Sequence, residues 1–244
     1  MGEMWWNVFA SKACQFLRAL GSVMVLIVLG LVGLTYYTTV SLVYGPLAGT
    51  DTNDGRFATA VLVIYHGLIL MVLWSYFACV LTEPGKVPDG WTPPAEDEEA
   101  AIGKSNSEKL RRFCRKCSAW KPERCHHCSV CGRCVLKMDH HCVWVANCVG
   151  AYNYKFFLLF LLYTFVATIF DAVVLLGPFV DFFRDLEASS HGNNGNNNNG
   201  DDTGFVMVND QLNGGQQAGR GGGMAAVFVT FVLDVAFAAS LLGF

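Results

Sequence analysis

Charged residues are scarce in this chain of 244 residues: only 15% are Asp, Glu, Lys or Arg, whereas 53% are hydrophobic. A chain with so few charges is too apolar for most soluble globular proteins. Polar stripes are also missing from its hydrophobic segments, although buried helices of a soluble protein would show polar residues at every third or fourth position. Together, these absences exclude an ordinary soluble domain and favour an integral membrane protein.

Four long hydrophobic segments are present, and each is close to the ~20 residues that a helix needs to cross the hydrocarbon core of a bilayer. We therefore predict four transmembrane helices and a membrane all-α fold. The first segment is too long for a cleaved signal peptide and is not followed by a small-residue cleavage site, so we interpret it as a retained helix. The segments are Leu20–Val40, Ala58–Leu81, Phe156–Phe179 and Met224–Phe244.

The basic residues predict how these helices are oriented. Twelve of the 17 Lys and Arg residues lie between the second and third segments, whereas the loop after the first segment holds only Arg56, beside Asp51 and Asp54. Because cytosolic loops are enriched in Lys and Arg, this region is expected to be cytosolic, and four crossings place both termini on the same side. The predicted division is a cytosolic segment 1–19, two helices with a short luminal loop 20–81, a cytosolic domain 82–155, a third helix 156–179, a luminal loop 180–223 and a fourth helix 224–244.

The segment 180–223 is rich in Asn and Gly and has too few apolar residues to build a core. We predict a disordered luminal linker there.

Three polar residues interrupt the hydrophobic segments: His66, Asp171 and Asp234. Ionisable residues inside a membrane are often functional. None of the three has an evident partner in the sequence, and we interpret them as hydrogen-bonding groups between helices.

One spacing of metal-binding residues occurs twice in the cytosolic domain, with an offset of fourteen residues. It consists of a CxxC pair, nine residues, a His, six residues and a Cys. Three thiolates and one imidazole form a typical closed tetrahedral zinc site, so the spacing predicts two structural Zn²⁺ ions. The first copy is Cys114, Cys117, His127 and Cys134, and the second is Cys128, Cys131, His141 and Cys148.

Disulfide bonds are the alternative use of these thiols. Eight of the ten cysteines lie within 35 residues of a loop that we predict to be cytosolic, where reducing conditions favour metal binding. The spacing leaves the ligand assignment open, because His126 and His140 also differ by fourteen residues, and so do Cys128 and Cys142. A third copy beginning at Cys142 fails, since Val145 stands in place of its second cysteine.

Cys142 is left over from both copies and ends the string Asp139-His140-His141-Cys142. A thiol with a pKa of ~8.5 is mostly protonated at neutral pH and needs a base to form the nucleophilic thiolate. If His141 binds a metal, His140 remains as that base, and Asp139 can orient its imidazole. Metal bonds at His141 and Cys148 would then hold the nucleophile rigidly from both sides. The string therefore predicts a catalytic cysteine.

The position of Cys142 also predicts a lipid-derived substrate. The third helix begins near Phe156, so the thiol is expected to lie close to the membrane surface. An anionic head group of the substrate can bind nearby basic side chains. Membrane-surface electrostatics and topology explain the same side chains equally well, and both interpretations stay open. These residues are Arg111, Arg112, Arg115, Lys116 and Arg124.

The string 139–142, with the cysteine-rich array before it and two predicted helices on each side, resembles the Asp-His-His-Cys (DHHC) family of protein S-acyltransferases. The resemblance implies that Cys142 takes a palmitoyl-type group from acyl-CoA and passes it to a cysteine of a membrane-associated protein. It implies two Zn²⁺ ions with His127 and His141 among the ligands, and it gives His140 and Asp139 the base and orienting roles. The similarity extends through Lys121-Pro122-Glu123-Arg124, His127-Cys128, Cys131, Cys134, Cys148 and Asn153.

Further expectations come from the same resemblance. The acyl chain of the family lies among the helices, which implies that Trp144 and Phe157 line the acyl-binding cavity. Glu83-Pro84-Gly85 stands where the family usually has Asp-Pro-Gly, a change that keeps the charge. The Thr-Thr-x-Glu motif and the C-terminal cytosolic segment of the family are not contained in the sequence, so we expect the fourth helix to be truncated at Phe244.

The expected partners are palmitoyl-CoA as the acyl donor, membrane-associated proteins with cytosolic cysteines as acceptors, and the lipid bilayer of the Golgi, endoplasmic reticulum or plasma membrane. A membrane-anchored zinc-binding interaction module, which would not need Cys142, and an inactive family member are the alternatives. Nucleic-acid binding is disfavoured by the acidic run from Glu96 to Glu99 and by the membrane tether. We assign no catalytic role to Cys14, Cys79 or Cys125.

Overall fold

Four helices dominate the computed structural model, which describes residues 21–93, 113–191 and 217–242. Within these ranges, each helix contains a stretch that is long and apolar enough to cross a membrane, so the chain is a multi-pass membrane protein. The predicted N-terminal segment with Cys14, the acidic run, Arg111, Arg112 and most of the predicted luminal loop lie outside the described residues. The helices are α1 (Gly21–Tyr44), α2 (Asn53–Leu81), α3 (Tyr154–His191) and α4 (Gln217–Leu242).

The third helix continues beyond the hydrophobic segment from which it was predicted. The helix runs to His191, and its apolar stretch ends at Asp181. The prediction that a loop begins at residue 180 is therefore wrong. No Gly or Pro stands between Val180 and His191 to end it. The fourth helix likewise begins at Gln217, before the predicted Met224. Hydrophobicity reports the length of the membrane span, whereas the helix ends where its backbone hydrogen bonds end.

The last two turns of α1 are wider than an α-helix. Residues Tyr37–Tyr44 form a π-helix, which ends where the Gly45 N–H donates to the Val40 carbonyl at 2.8 Å. A side chain at Gly45 would collide with that carbonyl. The segment buries Thr38 and Thr39 within the bundle, and π-helical turns are frequent at functional sites.

A proline inside α3 is compensated by a side chain of α1. Pro178 lacks the N–H that would bond to the Val174 carbonyl one turn earlier. The Tyr44 hydroxyl donates to that carbonyl at 2.7 Å. Tyr44 thus satisfies a backbone acceptor that would otherwise lack a partner at membrane depth.

The chain divides into two compact units, Met1–Leu29 with Leu73–Phe160 and Gly30–Val72 with Leu161–Phe244. The described part of the second unit is mostly helical, and its core is formed by Val43, Tyr44, Ala58, Val61, Leu175 and Val227. The first unit contains the cysteine-rich region together with the end of α2 and the beginning of α3.

The cysteine-rich region is not helical among the residues described. The prediction of an all-α fold therefore applies to the membrane-spanning part, whereas this region forms three separate antiparallel hairpins of two short strands each. Short strands suit it because CxxC pairs occupy tight turns between them. The hairpins are β1 (Phe113–Cys114) with β2 (Ala119–Trp120), β3 (His126–Cys128) with β4 (Arg133–Val135), and β5 (His140–Cys142) with β6 (Asn147–Val149).

Candidate catalytic and metal site

Each copy of the sequence repeat folds into one cluster of four side chains. Within each cluster the potential ligand atoms lie within 4.8 Å of one another, so each cluster can hold a metal ion. The clusters consist of the residues expected from the spacing: Cys114, Cys117, His127 and Cys134 in one, and Cys128, Cys131, His141 and Cys148 in the other.

The strand register explains the His-x₆-Cys part of the repeat. His127 lies directly opposite Cys134 in the β3–β4 pair, and His141 lies directly opposite Cys148 in the β5–β6 pair. Residues that face each other across an antiparallel pair project on the same side, with their Cβ atoms ~5 Å apart. Each of these two hairpins therefore supplies one imidazole and one thiol to its cluster. The CxxC turn of the hairpin before it supplies the other two thiols.

The separations between these atoms fit a metal better than a disulfide. The Sγ atoms of Cys131 and Cys148 are 3.4 Å apart, and those of Cys117 and Cys134 are 3.7 Å apart. His141 Nδ1 lies 3.5 Å from Cys131 Sγ. A tetrahedral Zn²⁺ with Zn–S bonds of ~2.3 Å separates its ligands by about 3.7 Å, whereas sulfurs in a disulfide are ~2.05 Å apart. Both clusters have the donor set and the spacing of a zinc site.

The thiols of each cluster differ in their tendency to ionise, and burial raises the pKa of Cys134 in the first cluster. Hydrogen bonding with Cys148 lowers the pKa of Cys131 to about 5, and the same contact raises the pKa of Cys148. Burial opposes ionisation of Cys114, but hydrogen bonds from Cys117 and its neighbours bring its pKa below the usual value. Burial lowers the pKa of His127. Thiolates and neutral imidazoles are the forms that bind metals.

The third hairpin has the geometry of the other two but lacks their second cysteine. In each hairpin, the first thiol lies opposite a residue five positions later, which makes the registers equivalent: Cys114 with Ala119, Cys128 with Arg133 and Cys142 with Asn147. Each turn also has a residue with positive φ at the same place: Ser118 at 49°, Gly132 at 69° and Ala146 at 51°.

Val145 therefore decides the chemistry of this hairpin. It occupies the position of Cys117 and Cys131, and its apolar side chain is fully buried. With valine there, Cys142 has no CxxC partner and belongs to neither metal cluster. Cys142 has the position of a metal ligand in the fold but keeps its sulfur free for chemistry.

Strand alternation separates the two histidines of the string. Successive side chains of a strand point to opposite faces. His141 points toward the metal cluster, with its Nδ1 3.7 Å from Cys128 Sγ. His140 and Cys142 share the other face of β5, so a base and a thiol lie on the same side without competing with the metal.

His140 is held by two neighbours. Its Nδ1 lies 3.1 Å from Asp139 Oδ2, and its ring packs edge-on against Phe157 with the ring centroids 5.3 Å apart. When Asp139 accepts the Nδ1 proton, Nε2 carries the lone pair that can accept a proton from a thiol. The local arrangement is that of a general base with an orienting carboxylate.

Cys142 lies beside the end of α2. Its side chain is only 8% exposed, and a Cys142 thiolate would act electrostatically on Tyr76 and Cys79. The Tyr76 hydroxyl donates to the Trp144 carbonyl at 2.9 Å. A side chain of α2 thereby holds the turn that follows Cys142.

Two asparagines attach the third hairpin to α2. The Asn147 amide nitrogen lies 3.3, 3.2 and 3.0 Å from the carbonyls of Cys79, Val80 and Thr82. Asn153 is fully buried, and its amide nitrogen lies 2.8 Å from the Cys148 carbonyl and 3.4 Å from that of Cys79. The last carbonyls of a helix have no intrahelical partner, and these side chains supply the missing donors. Sequence reasoning missed the role of Asn147, whose only signal was an Asn at the end of a hairpin turn.

The Glu83-Pro84-Gly85 segment forms further hydrogen bonds with the cysteine-rich region and the residues that follow it. Glu83 accepts from Arg133 of β4 at 2.6 Å. The Pro84 carbonyl accepts from Tyr152 N–H, and the Gly85 carbonyl accepts from Leu136 N–H. Glu83 thus keeps an acidic side chain where the resemblance implied aspartate, and it has a basic partner.

The two residues expected to line an acyl cavity have different environments. Trp144 is 51% exposed, whereas Phe157 is only 7% exposed and contacts His140. Both belong to the unit that contains Cys142. The structure therefore exposes the Trp144 indole and buries the Phe157 ring.

Cys125 also lies next to a histidine, His126, but its environment differs from that of Cys142. It is buried, and burial raises the pKa of its thiol. Its neighbour His126 has no aspartate before it. Cys125 therefore lacks the carboxylate-oriented histidine that precedes Cys142 in the string 139–142.

Comparisons with known proteins agree with this arrangement. Residues 107–244 match the family described as "DHHC palmitoyltransferase". "Probable protein S-acyltransferase 13" of Arabidopsis thaliana is 49% identical over 251 residues, which cover 99% of this chain and 73% of the relative. "Probable protein S-acyltransferase 14" of the same plant is 46% identical over 254 residues, with 99% and 73% covered. "Palmitoyltransferase ZDHHC2" of Homo sapiens is 40% identical over 155 residues, with 53% and 42% covered.

Proposed function

The chain belongs to the DHHC palmitoyltransferase family, and on that premise we propose that Cys142 carries the acyl group in a two-step protein S-acyltransferase reaction. The single observation that supports this assignment most is the third hairpin. It repeats the register of two metal-binding hairpins yet leaves its thiol unligated beside a carboxylate-oriented histidine.

In the first step, His140 accepts the Cys142 proton and the thiolate attacks the thioester carbonyl of palmitoyl-CoA. A new C–S bond forms to Cys142 while the C–S bond to coenzyme A breaks, and the coenzyme A thiolate takes the proton from His140. Asp139 holds the imidazole in the tautomer that makes this transfer possible.

In the second step, the cysteine of a membrane-associated protein takes the place of coenzyme A. It gives its proton to His140 and attacks the Cys142 thioester, so the acyl group moves to the substrate and the Cys142 thiolate regains a proton. Thioester exchange has little net driving force, and the reaction proceeds in the direction set by donor concentration.

The two clusters bind Zn²⁺ in this proposal, with three cysteines and one histidine each. Zinc in a closed site has no open position for a substrate and contributes folding free energy. The ligands His141 and Cys148 flank Cys142 in sequence and face each other across β5–β6. The chain's own residues therefore carry the chemistry, and the metals fix their geometry.

The proposed orientation places the hairpins on the cytosolic side of an endomembrane, where acyl-CoA and acceptor cysteines are found. The basic residues between α2 and α3 support this side. The acyl chain enters from the bilayer and lies against Trp144 and Phe157, and the charged head of coenzyme A binds the basic side chains of the cysteine-rich region.

The test is labelling of the purified protein with a radioactive or alkyne-tagged palmitoyl-CoA. The wild type should acquire a label that neutral hydroxylamine removes, and Cys142→Ser should acquire none. Cys125→Ala, a matched loss of a buried thiol outside both clusters, should keep the label. Hydroxylamine-sensitive labelling that persists in a folded Cys142→Ser protein would reject the assignment, and an unlabelled wild type with bound zinc would favour a zinc-binding interaction module.

A further inference from the structure

Two carboxylates are buried at membrane depth in the unit formed by Gly30–Val72 and Leu161–Phe244. Asp171 of α3 is 2% exposed and Asp234 of α4 is 3% exposed. Asp171 Oδ1 accepts a hydrogen bond of 2.7 Å from the Thr39 hydroxyl of α1, and the two aspartates interact directly. The expectation that these residues join helices holds for Asp171, but it does not account for the whole cluster.

Three polar atoms of this cluster have no hydrogen-bond partner: Asp171 Oδ2, Asp234 Oδ2 and the Tyr65 hydroxyl. Tyr65 of α2 is 1% exposed and lies in the electrostatic field of both aspartates. Its hydroxyl also lies near the side chains of Thr35 and Thr39. Buried polar atoms without partners are rare in native proteins, and a bound water or ion is one explanation for them.

Among the described residues, the four membrane-spanning stretches contain two permanently charged basic side chains, Arg56 and Lys155. His66 of α2 is the other basic residue of these stretches, and its ring nitrogens lie 3.1 Å from the Tyr36 hydroxyl and 2.6 Å from the Leu62 carbonyl. Lys155 is in the first turn of α3, sixteen residues before Asp171. Arg56 is in the first turn of α2 and donates to Asn53. An uncompensated charge in this environment is costly, so something outside the chain must neutralise it.

The π-helical end of α1 shapes the same cluster. It presents two successive threonines inward: Thr39 bonds to Asp171, and the Thr38 hydroxyl lies 3.0 Å from that of Thr230 on α4. Two neighbouring residues of an ordinary α-helix point about 100° apart, and the wider π turn relaxes that restriction. Helices α1, α2, α3 and α4 thus each contribute an oxygen to one buried region.

We propose that Asp171, Asp234 and Tyr65 form a binding site for a monovalent metal cation of the size of Na⁺. All three free atoms are oxygens, the donors that hard cations prefer. A divalent cation would leave the site with a net positive charge once one carboxyl carries a proton, whereas a monovalent cation would not. One cation together with a proton on the second carboxyl leaves the site neutral. The bound ion connects α2, α3 and α4 inside the membrane.

The experiment uses the full chain in nanodiscs and replaces choline chloride by NaCl or KCl at constant ionic strength. Intrinsic tryptophan fluorescence reports thermal unfolding, and ²²Na⁺ retention reports binding directly. We expect Na⁺ to raise Tm by about 3–5 °C over choline, as a specific ligand of the folded state does. K⁺, which is larger, should raise it less.

The variants assign the effect to the cluster. Asp171→Asn and Asp234→Asn should each abolish saturable ²²Na⁺ binding and the Na⁺-dependent shift in Tm. Tyr65→Phe keeps both carboxylates and the ring, and it should weaken Na⁺ binding at least several-fold. Asp181→Asn, the same change further along α3 where the carboxylate pairs with Arg184, should behave as the wild type.

Two results would overturn the inference. One is a wild type without saturable ²²Na⁺ binding, which would mean that protons alone neutralise the pair. The other is a response to Na⁺ that persists unchanged in Asp171→Asn and Asp234→Asn. Neither readout requires acyl transfer. The inference of a cation site can therefore be rejected without rejecting the role proposed for Cys142, and that role can be rejected without rejecting the cation site.

Discussion

Cys142 lies directly opposite Asn147 in the β5–β6 hairpin, and the Asn147 side chain reaches three carbonyls at the end of α2. The thiol and the end of a membrane-spanning helix are therefore joined through one cross-strand neighbour. The hairpin has no large hydrophobic core of its own, so these hydrogen bonds to α2 position Cys142.

Replacement of Asn147 by Asp should detach the hairpin from α2. The side chain keeps its shape but loses the amide donors and gains a charge that faces carbonyl oxygens. We expect a loss of about 1–3 kcal/mol of stability and a slower formation of the Cys142 thioester, with little change in the KM for palmitoyl-CoA. Single-turnover labelling and thermal unfolding measure the two effects.

Asn53→Asp is the matched control, because it makes the same chemical change at the exposed beginning of α2. It should leave labelling unchanged. Full labelling of Asn147→Asp at the wild-type rate would show that this contact does not position Cys142.

Replacement of Val145 by Cys should convert the third hairpin into a complete CxxC turn. The new thiol occupies the position that Cys131 has relative to Cys128, where both sulfurs reach one metal cluster. When a thiol oxidant such as diamide accepts the two electrons and two protons, we expect Cys142 and the new cysteine to form a disulfide, which blocks labelling, and a phosphine reductant should restore it. Val145→Ser should keep its label under both conditions, and reductant-independent labelling of Val145→Cys would contradict the equivalence of the three hairpins.

Loss of the His140 imidazole should slow thioester formation by about 10²–10⁴-fold, the usual contribution of a general base. The rate of His140→Ala should rise between about pH 7 and pH 9, because hydroxide must then remove the thiol proton in place of the imidazole. The wild type should depend less on pH there. Rates of hydroxylamine-sensitive labelling across this range provide the measurement.

The preceding hairpin offers the control for this prediction. His126 precedes His127 as His140 precedes His141, but no aspartate stands before it. His126→Ala should label normally at every pH. Equal losses in both variants would indicate a structural rather than a proton-transfer role for His140.

Loss of one metal ligand should empty one cluster and inactivate the enzyme. The wild type is expected to contain about two Zn²⁺ per chain and Cys131→Ala about one. Because the cluster around Cys131 includes His141 and Cys148, β5 and β6 should lose their fixed geometry and labelling should fall below detection. Cys125→Ala should retain both ions by elemental analysis, and a fully labelled Cys131→Ala protein with one ion would show that this cluster is dispensable for the chemistry.

The positions of the spans and the ligand sets were predictable from local patterns. Hydrophobic length identified four spans because hydrocarbon imposes a minimum helix length. The repeated spacing predicted two clusters because His-x₆-Cys spans one hairpin register, and the family resemblance chose His127 and His141 over His126 and His140. The helix end at His191 was not predictable from hydropathy, since a polar helical extension leaves no signal in apolar length.

The sequence by itself determined that Cys142 is surplus to the metal repeat and that Asp139 and His140 precede it, because these facts depend only on order and spacing. Tertiary structure decided the rest. Strand alternation separates His140 from His141, Val145 fills the place of a ligand, and Asn147 and Tyr76 attach the hairpin to α2. It also brings Asp171, Asp234 and Tyr65, distant in the chain, into one buried cluster. Contacts between residues far apart in sequence have no local pattern, so only the folded chain reveals them.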